Sequence, residues 1–90
     1  MKRVHIVIFG DVNGVYFRSF IKDRAIELGL KGFTRNVPIR KVEVIVEGHE
    51  AKIEKLVELC KQGPRGAVID DVKTEIHPFK GDFKTFRIVY

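Results

Sequence analysis

The sequence predicts an α+β fold in which two helices pack on one face of an antiparallel or mixed sheet of four to five strands. Two observations predict it. The chain has 90 residues, enough for one domain with one core. Its apolar residues follow strand and helix spacing in the order β-α-β-β-α-β, which is the ferredoxin-like arrangement. We therefore expect a single domain over residues 1–90, too short for a Rossmann or barrel enzyme.

The first half of the chain is predicted to contain a strand, a helix and a hairpin. Residues 4–9 are apolar and β-branched and stop at Gly10, which predicts a buried strand. The first helix is predicted by apolar residues at helical spacing, namely Phe17, Phe20, Ile21, Ala25 and Leu28. Gly29 is expected to end it. Residues 32–36 and 41–47 are predicted strands, and Pro38 marks their connection.

The second half is predicted to contain a helix and two strands. The helix is predicted by apolar residues at i, i+3, i+4 and i+7, which are Ile53, Leu56, Val57 and Cys60, with Gly63 and Pro64 as its stop. Residues 67–76 and 83–90 are the fourth and fifth predicted strands. Four aromatic residues are expected to fill the core: Phe20, Phe33, Phe83 and Phe86. The solvated face of the second helix is expected to carry Lys52, Glu54, Lys55 and Glu58.

The charge balance indicates an anionic partner. Lys and Arg number 17 against 12 Asp and Glu, a net charge of +5 with neutral histidines. This surplus favours nucleic acid, an acidic membrane surface or a small phosphorylated substrate, without choosing among them. The single cysteine, Cys60, cannot form an internal disulfide, and the N-terminal segment lacks a signal-peptide cleavage site. A single cysteine fits a reducing compartment, so we expect a cytoplasmic protein. No segment is long and apolar enough to span a bilayer, and no membrane partner is expected.

The loop over residues 10–18 joins the first strand to the first helix and contains the first candidate site. It has two glycines and no proline, so its backbone N–H groups and the helix dipole can form an anion cradle. Arg18 lies in the first helical turn, where the dipole disfavours a cation by ~0.3–1 kcal/mol. A bound phosphoryl group would offset this cost. The alternative interpretation is an ordinary glycine-containing turn followed by a surface arginine.

Two stretches of the chain resemble the signatures of the acylphosphatase family. Residues 8–18, Ile-Phe-Gly-Asp-Val-Asn-Gly-Val-Tyr-Phe-Arg, resemble its first signature. Residues 32–36, Gly-Phe-Thr-Arg-Asn, followed by Val42 and Gly48, resemble its second. The ending at residues 86–90 is also similar to the usual end of these chains, so the resemblance covers all 90 residues.

The resemblance implies an enzyme that hydrolyses the carboxyl-phosphate bond of small acyl phosphates to a carboxylate and inorganic phosphate, with no metal or cofactor. It implies that Arg18 binds the phosphate and that Asn36 orients the attacking water. The implied phosphate-binding loop is the backbone of Asn13, Gly14, Val15, Tyr16 and Phe17. An amide cannot accept a proton at neutral pH, so Asn36 is expected to aim the water and not to act as a base.

The chain departs from the family pattern at four positions. Asn13 replaces a glutamine and shortens the side chain by one methylene, and Thr34 replaces a small apolar residue. Ile39 and Arg40 replace an Asp-Gly turn, whose glycine supplies a positive φ. We therefore expect another hairpin geometry, partly set by Pro38.

Other activities are not expected from these residues. His5, His49 and His77 lack ligand spacing, and Cys60 belongs to an apolar helical stripe, so neither metal binding nor thiol catalysis is predicted. An RNA-binding domain of similar fold is the alternative from another class, but Thr34 and Arg35 break its aromatic signature, and no nucleic-acid partner is expected. A non-catalytic phosphate-binding or interaction module is a further alternative. We expect a monomer.

Overall fold

The computed structural model describes residues 1–13 and 16–90 and consists of a mixed five-stranded sheet and two helices. The elements in chain order are β1 (Lys2–Asp11), α1 (Phe17–Glu27), β2 (Lys31–Val37), β3 (Lys41–Gly48), α2 (Glu50–Gln62), β4 (Val68–His77) and β5 (Phe86–Ile88). This order confirms the predicted fold class. Within the described residues, neither helix is long and apolar enough to cross a membrane.

The sheet has the strand order β4-β1-β3-β2-β5, so β4 and β5 form its two edges. All neighbours are antiparallel except β2 and β5, which are parallel. The prediction of a fifth strand over residues 83–90 was too long, because only Phe86–Ile88 forms a strand. The chain leaves β4 at one edge and must first cross to the other edge before it can pair with β2.

The core lies between the helices and one face of the sheet. Alternate residues of β1 and β3 are buried there: Val4, Ile6, Ile8, Val42, Val44 and Val46. The helices contribute Phe17, Ile21, Ala25, Ile53, Leu56 and Cys60. Cys60 is fully buried, which confirms its interpretation as a core residue, and burial raises the pKa of its thiol to about 12. A thiol in this environment is not a nucleophile at neutral pH.

The opposite face of the sheet, called here the open face, carries two of the aromatic residues that were expected in the core. Phe86 is buried as predicted, and Phe20 packs against the core. The prediction for Phe33 and Phe83 was wrong, since neither belongs to the core or packs against it. Their rings instead form an edge-to-face pair with centroids 6.0 Å apart. Phe33 alternates with buried Gly32 and Thr34, so the pleat of β2 turns it to the open face.

One glycine is required where β1 leads into the candidate site. Gly10 adopts a φ of 145°, and a Cβ atom there would lie 2.1 Å from the carbonyl oxygen of Val68. The pairing of β1 with β4 shifts register at this point. A side chain at Gly10 would therefore separate the strands, so only glycine allows β1 to end beside β4 in this way.

Candidate active site

The loop from β1 to α1 is held at both ends by side chains that enter the core. Val12 is fully buried on one side of the loop, and Phe17 is 1% exposed on the other. Asn13 and Tyr16 between them are exposed. Tyr16 precedes the helix in the left-handed conformation, with a φ of 59°. Gly14 and Val15, which were predicted to contribute to the phosphate-binding loop, lie outside the described residues.

The beginning of α1 has the properties that favour an anion. No acidic residue occupies its first turn, and no side chain caps it, because Tyr16 provides no hydrogen bond. Arg18 lies in that turn, half-buried, and makes no ion pair within residues 1–13 and 16–90. The positive end of the helix and a guanidinium without a carboxylate partner are thus concentrated at one place.

The aromatic ring of Tyr90 lies against the guanidinium of Arg18. The central carbon of that guanidinium lies 5.1 Å from the centroid of the Tyr90 ring, a cation–π distance. A cavity of about 180 Å³ opens between them, lined by Tyr16, Phe17, Arg18, Ser19, Ile88 and Tyr90. Sequence reasoning missed this role of Tyr90, because no local pattern relates the two ends of the chain.

The parallel pairing of β2 with β5 explains how Tyr90 reaches the site. Thr34 pairs with Ile88, and the N–H of Val89 donates to the carbonyl oxygen of Thr34 over 2.9 Å. The strand pairing ends at Thr34 and Ile88, two residues before Asn36 and two residues before Tyr90. The pairing thus brings the segment before Tyr90 alongside the half of β2 that leads to Asn36.

The two asparagines of the signatures contact each other directly. The side-chain N–H₂ group of Asn13 donates to Oδ1 of Asn36 over 3.0 Å and to the carbonyl oxygen of Lys41 over 3.1 Å. The carbonyl oxygen of Lys41 can only accept a hydrogen bond, so the atom of Asn13 that contacts it must be the donor Nδ2. The atom of Asn36 that contacts the same Nδ2 must therefore be the acceptor Oδ1. The Nδ2 group of Asn36 is thereby turned away from Asn13.

The turn between β2 and β3 keeps these groups beside the loop. Arg40 adopts a φ of 55°, the left-handed conformation that a glycine would provide at lower cost. The N–H of Gly10 donates to its carbonyl oxygen over 3.0 Å. The turn thus retains a positive φ without the Asp-Gly pair, and it joins the end of β1 to the start of β3.

Acidic groups lie elsewhere on the sheet. Asp11 is exposed and continues the odd-numbered series of β1, which faces away from the helices. Burial alone would raise the pKa of Glu43, but hydrogen bonds with Arg35 and His5 outweigh it and leave the pKa below its usual value. Within residues 1–13 and 16–90, no group of three or more His, Cys, Asp or Glu is arranged to hold a metal ion.

These features define a ferredoxin-like α+β domain whose candidate site lies between the β1–α1 loop, the end of β2 and the C-terminus. The family model described as Acylphosphatase matches residues 4–88. The chain therefore belongs to the acylphosphatase family, whose fold and membership support hydrolysis of acyl phosphates.

Individual relatives agree over nearly their whole length. The chain is 44% identical to an acylphosphatase of Caldivirga maquilingensis, over 98% of this chain and 94% of that one. It is 42% identical to an acylphosphatase of Pelotomaculum thermopropionicum, over 98% and 96%. The crystal structure of acylphosphatase from Bacillus subtilis superimposes with a TM-score of 0.96 at 30% identity, covering 100% of both chains.

Proposed function

We propose that this chain hydrolyses the carboxyl-phosphate bond of small acyl phosphates without a metal ion, with Arg18 binding the phosphate and Asn36 orienting the water. The observation that carries the proposal is the hydrogen bond between Asn13 and Asn36. It couples the asparagine of β2 to the loop that precedes Arg18, which supports the proposal that both signatures would act on one bound group.

The phosphoryl group would bind at the beginning of α1. The N–H groups of Tyr16, Phe17 and the loop before them would donate to its oxygens, together with the guanidinium of Arg18. Phosphoryl transfer passes through a loose transition state, in which catalysis consists mostly of positioning and neutralisation of charge. Arg18 would provide both, and its stacking on Tyr90 would reduce the rotamer freedom lost on binding.

Asn36 would hold the attacking water by donation from Nδ2 to the water oxygen. This arrangement follows from the contact with Asn13, which occupies the other end of the amide. The water protons then point away from Asn36, and an oxygen of the substrate phosphoryl group can accept one of them. The acyl carboxylate is a good leaving group and needs no general acid, and since the phosphoryl oxygen takes the proton of the water, the protein need not supply a general base either.

The test measures hydrolysis of benzoyl phosphate, with inorganic phosphate as a competitive inhibitor. We expect Arg18→Ala to weaken both phosphate inhibition and turnover, because it removes charge from the bound state and the transition state alike. We expect Asn36→Ala to lose turnover and keep phosphate inhibition. Arg65→Ala, at an exposed position of the turn after α2, is the matched control for the loss of charge. Normal kcat in Asn36→Ala would contradict the assignment.

The same experiment distinguishes a binding module from an enzyme. A non-catalytic relative would bind phosphate through Arg18 and show no turnover in the wild type. The pH profile provides a second criterion, since the proposed mechanism uses no histidine as an acid or base. We expect the rate to be nearly constant between about pH 5 and 8, and a steep inflection there would show that a further side chain, such as His5, His49 or His77, takes part in the reaction.

A further inference from the structure

A second cavity lies between β2 and the segment that leads into β5. Its volume is about 330 Å³, at the lower end of the range of about 300–1,000 Å³ for small-molecule sites. Arg87 and Val89 line this cavity. Ile88 and Tyr90, which alternate with them along the chain, instead line the cavity beside Arg18. The second cavity is therefore distinct from the candidate active site.

Two aromatic rings form walls of this second cavity. Phe33 and Phe83 line it, and both side chains are half-buried. Their ring planes are inclined at 71°, with centroids 6.0 Å apart. A planar ring that enters this corner can stack on one phenyl group and meet the other edge to face, the two geometries that aromatic pairs prefer. The cavity therefore favours a ligand with an aromatic ring.

The wall that contains Phe83 is held in place by the buried carboxylate of Glu47. That carboxylate accepts hydrogen bonds from the N–H groups of Lys80 and Gly81 and from Nε of Arg3. The guanidinium of Arg3 in turn lies 4.8 Å from the centroid of the Phe83 ring. Because this segment is already ordered by the protein, a ligand does not pay the free-energy cost of ordering it.

The charged groups around the cavity leave two cations available to a ligand. Lys84 and Arg87 line the cavity, are exposed and make no ion pair within the described part of the chain. Asp82 also lines it, but its carboxylate accepts a hydrogen bond from Arg3 over 3.1 Å. With Arg3 and Glu47 included, three cations face two carboxylates, a net charge of +1. This charge attracts a singly charged anion.

From these walls and charges we propose that the second cavity binds a small aromatic carboxylate. The ring of the ligand lies against Phe33 and Phe83. Its carboxylate accepts hydrogen bonds from Arg87, whose planar guanidinium can hold both oxygens, and from Nζ of Lys84. A monoanion matches the net charge of +1, whereas a phosphate ester carries up to two negative charges. The proposal is independent of the proposed catalytic roles.

NMR titration of the backbone amides with benzoate tests the proposal. We expect a Kd of about 1 mM, typical of a weakly held small ligand, with the largest shifts at Phe33 and residues 82–89. Benzamide keeps the ring without the charge, and cyclohexanecarboxylate keeps the charge without the aromatic ring. Each should bind about fivefold more weakly than benzoate. Equal binding of benzamide and benzoate, or no saturable binding of benzoate, would overturn the proposal.

Variants test the charge and the ring separately. Arg87→Gln and Lys84→Gln should each weaken benzoate binding about three- to fivefold, and Arg87→Lys should lose less than Arg87→Gln because it keeps the charge. Phe33→Leu keeps an apolar side chain and should reduce the preference for benzoate over cyclohexanecarboxylate. Arg65→Gln, at an exposed position outside the lining, is the matched control. Dispersed amide spectra show that each variant is folded. Unchanged benzoate binding in both Arg87→Gln and Lys84→Gln would contradict the assignment.

A last pair of measurements separates this cavity from the candidate active site. Arg18→Ala should retain benzoate binding, and Arg87→Gln should retain hydrolysis of benzoyl phosphate. Loss of benzoate binding in Arg18→Ala, with shifts at the beginning of α1, would mean that the carboxylate binds in the candidate active site and would overturn the proposal.

Discussion

Asn13 and Asn36 are joined by a side-chain hydrogen bond of 3.0 Å between Nδ2 of the former and Oδ1 of the latter. The two residues are 23 positions apart, one in the loop before α1 and the other in β2. Asn13 is one methylene shorter than the glutamine of the family pattern, and its amide nevertheless reaches Asn36. The contact determines which end of the Asn36 amide is available to a water molecule.

We predict that Asn13→Ala lowers kcat about tenfold, which corresponds to ~1.4 kcal/mol, the order of one hydrogen bond. Inhibition by inorganic phosphate should change little, because the backbone of the loop is retained. The measurement is steady-state hydrolysis of benzoyl phosphate, with Asn13→Gln as the control that keeps an amide. The effects of Asn13→Ala and Asn36→Ala should not add, since both act through the same amide. Additive losses would separate the two roles.

Tyr90 is predicted to position Arg18. Tyr90→Ala removes the ring that lies 5.1 Å from the guanidinium. Cation–π contacts at exposed sites contribute ~0.5–1 kcal/mol, so the inhibition constant for phosphate should rise about two- to fivefold. Tyr90→Phe keeps the ring and should behave like the wild type. If the two variants were equally impaired, the hydroxyl group and not the stacking would be responsible.

Arg40 is predicted to store backbone strain in the β2–β3 turn. Arg40→Gly and Arg40→Ala both remove its side chain, including the 3.5 Å ion pair with Asp70. Only glycine adopts the φ of 55° without a steric penalty. The glycine variant should therefore be the more stable of the two by about 0.5–1 kcal/mol, after the entropy of the unfolded chain is counted. Urea-induced unfolding measures this difference, and a more stable alanine variant would contradict it.

Glu47 is predicted to make stability depend on acid pH. Its carboxylate is 4% exposed and accepts hydrogen bonds from Arg3 and from the N–H groups of Lys80 and Gly81. Burial alone would raise the pKa of Glu47, but these donors outweigh it and leave the pKa below its usual value. Because the pKa of Glu47 is lower in the folded protein, its ionised carboxylate stabilises the folded state. This stabilisation is complete above the pKa of glutamate in the unfolded chain, about 4.3, and is lost as the pH falls through the pKa of Glu47 in the folded protein.

The corresponding variant is Glu47→Gln. We expect it to lower the free energy of unfolding by about 2 kcal/mol at pH 7, because hydrogen bonds to a buried charge are lost. The difference from the wild type should shrink as the pH is lowered below about 4, when the native carboxylate also becomes neutral. Chemical unfolding at several pH values measures it. A difference independent of pH would mean that shape and not charge is responsible.

The order of elements could be predicted because each depends on local spacing. Val4, Ile6 and Ile8 alternate along the chain, and Phe17, Ile21 and Ala25 recur at helical intervals, so burial of each set follows from neighbouring residues. The positions of Phe33 and Phe83 could not be predicted in this way. Aromatic residues are apolar wherever they occur, and only the pairing of β2 with β3 decides which face Phe33 occupies.

The sequence by itself determined the βαββαβ order, the burial of Cys60, and the acylphosphatase signatures with their candidate residues Arg18 and Asn36. Only the tertiary structure decided that Asn13 contacts Asn36 and that Tyr90 lies over Arg18. The reason is physical. Periodicity and capping act within a few residues of chain, whereas these contacts join segments from distant positions, and their geometry depends on strand register and on the packing of one core.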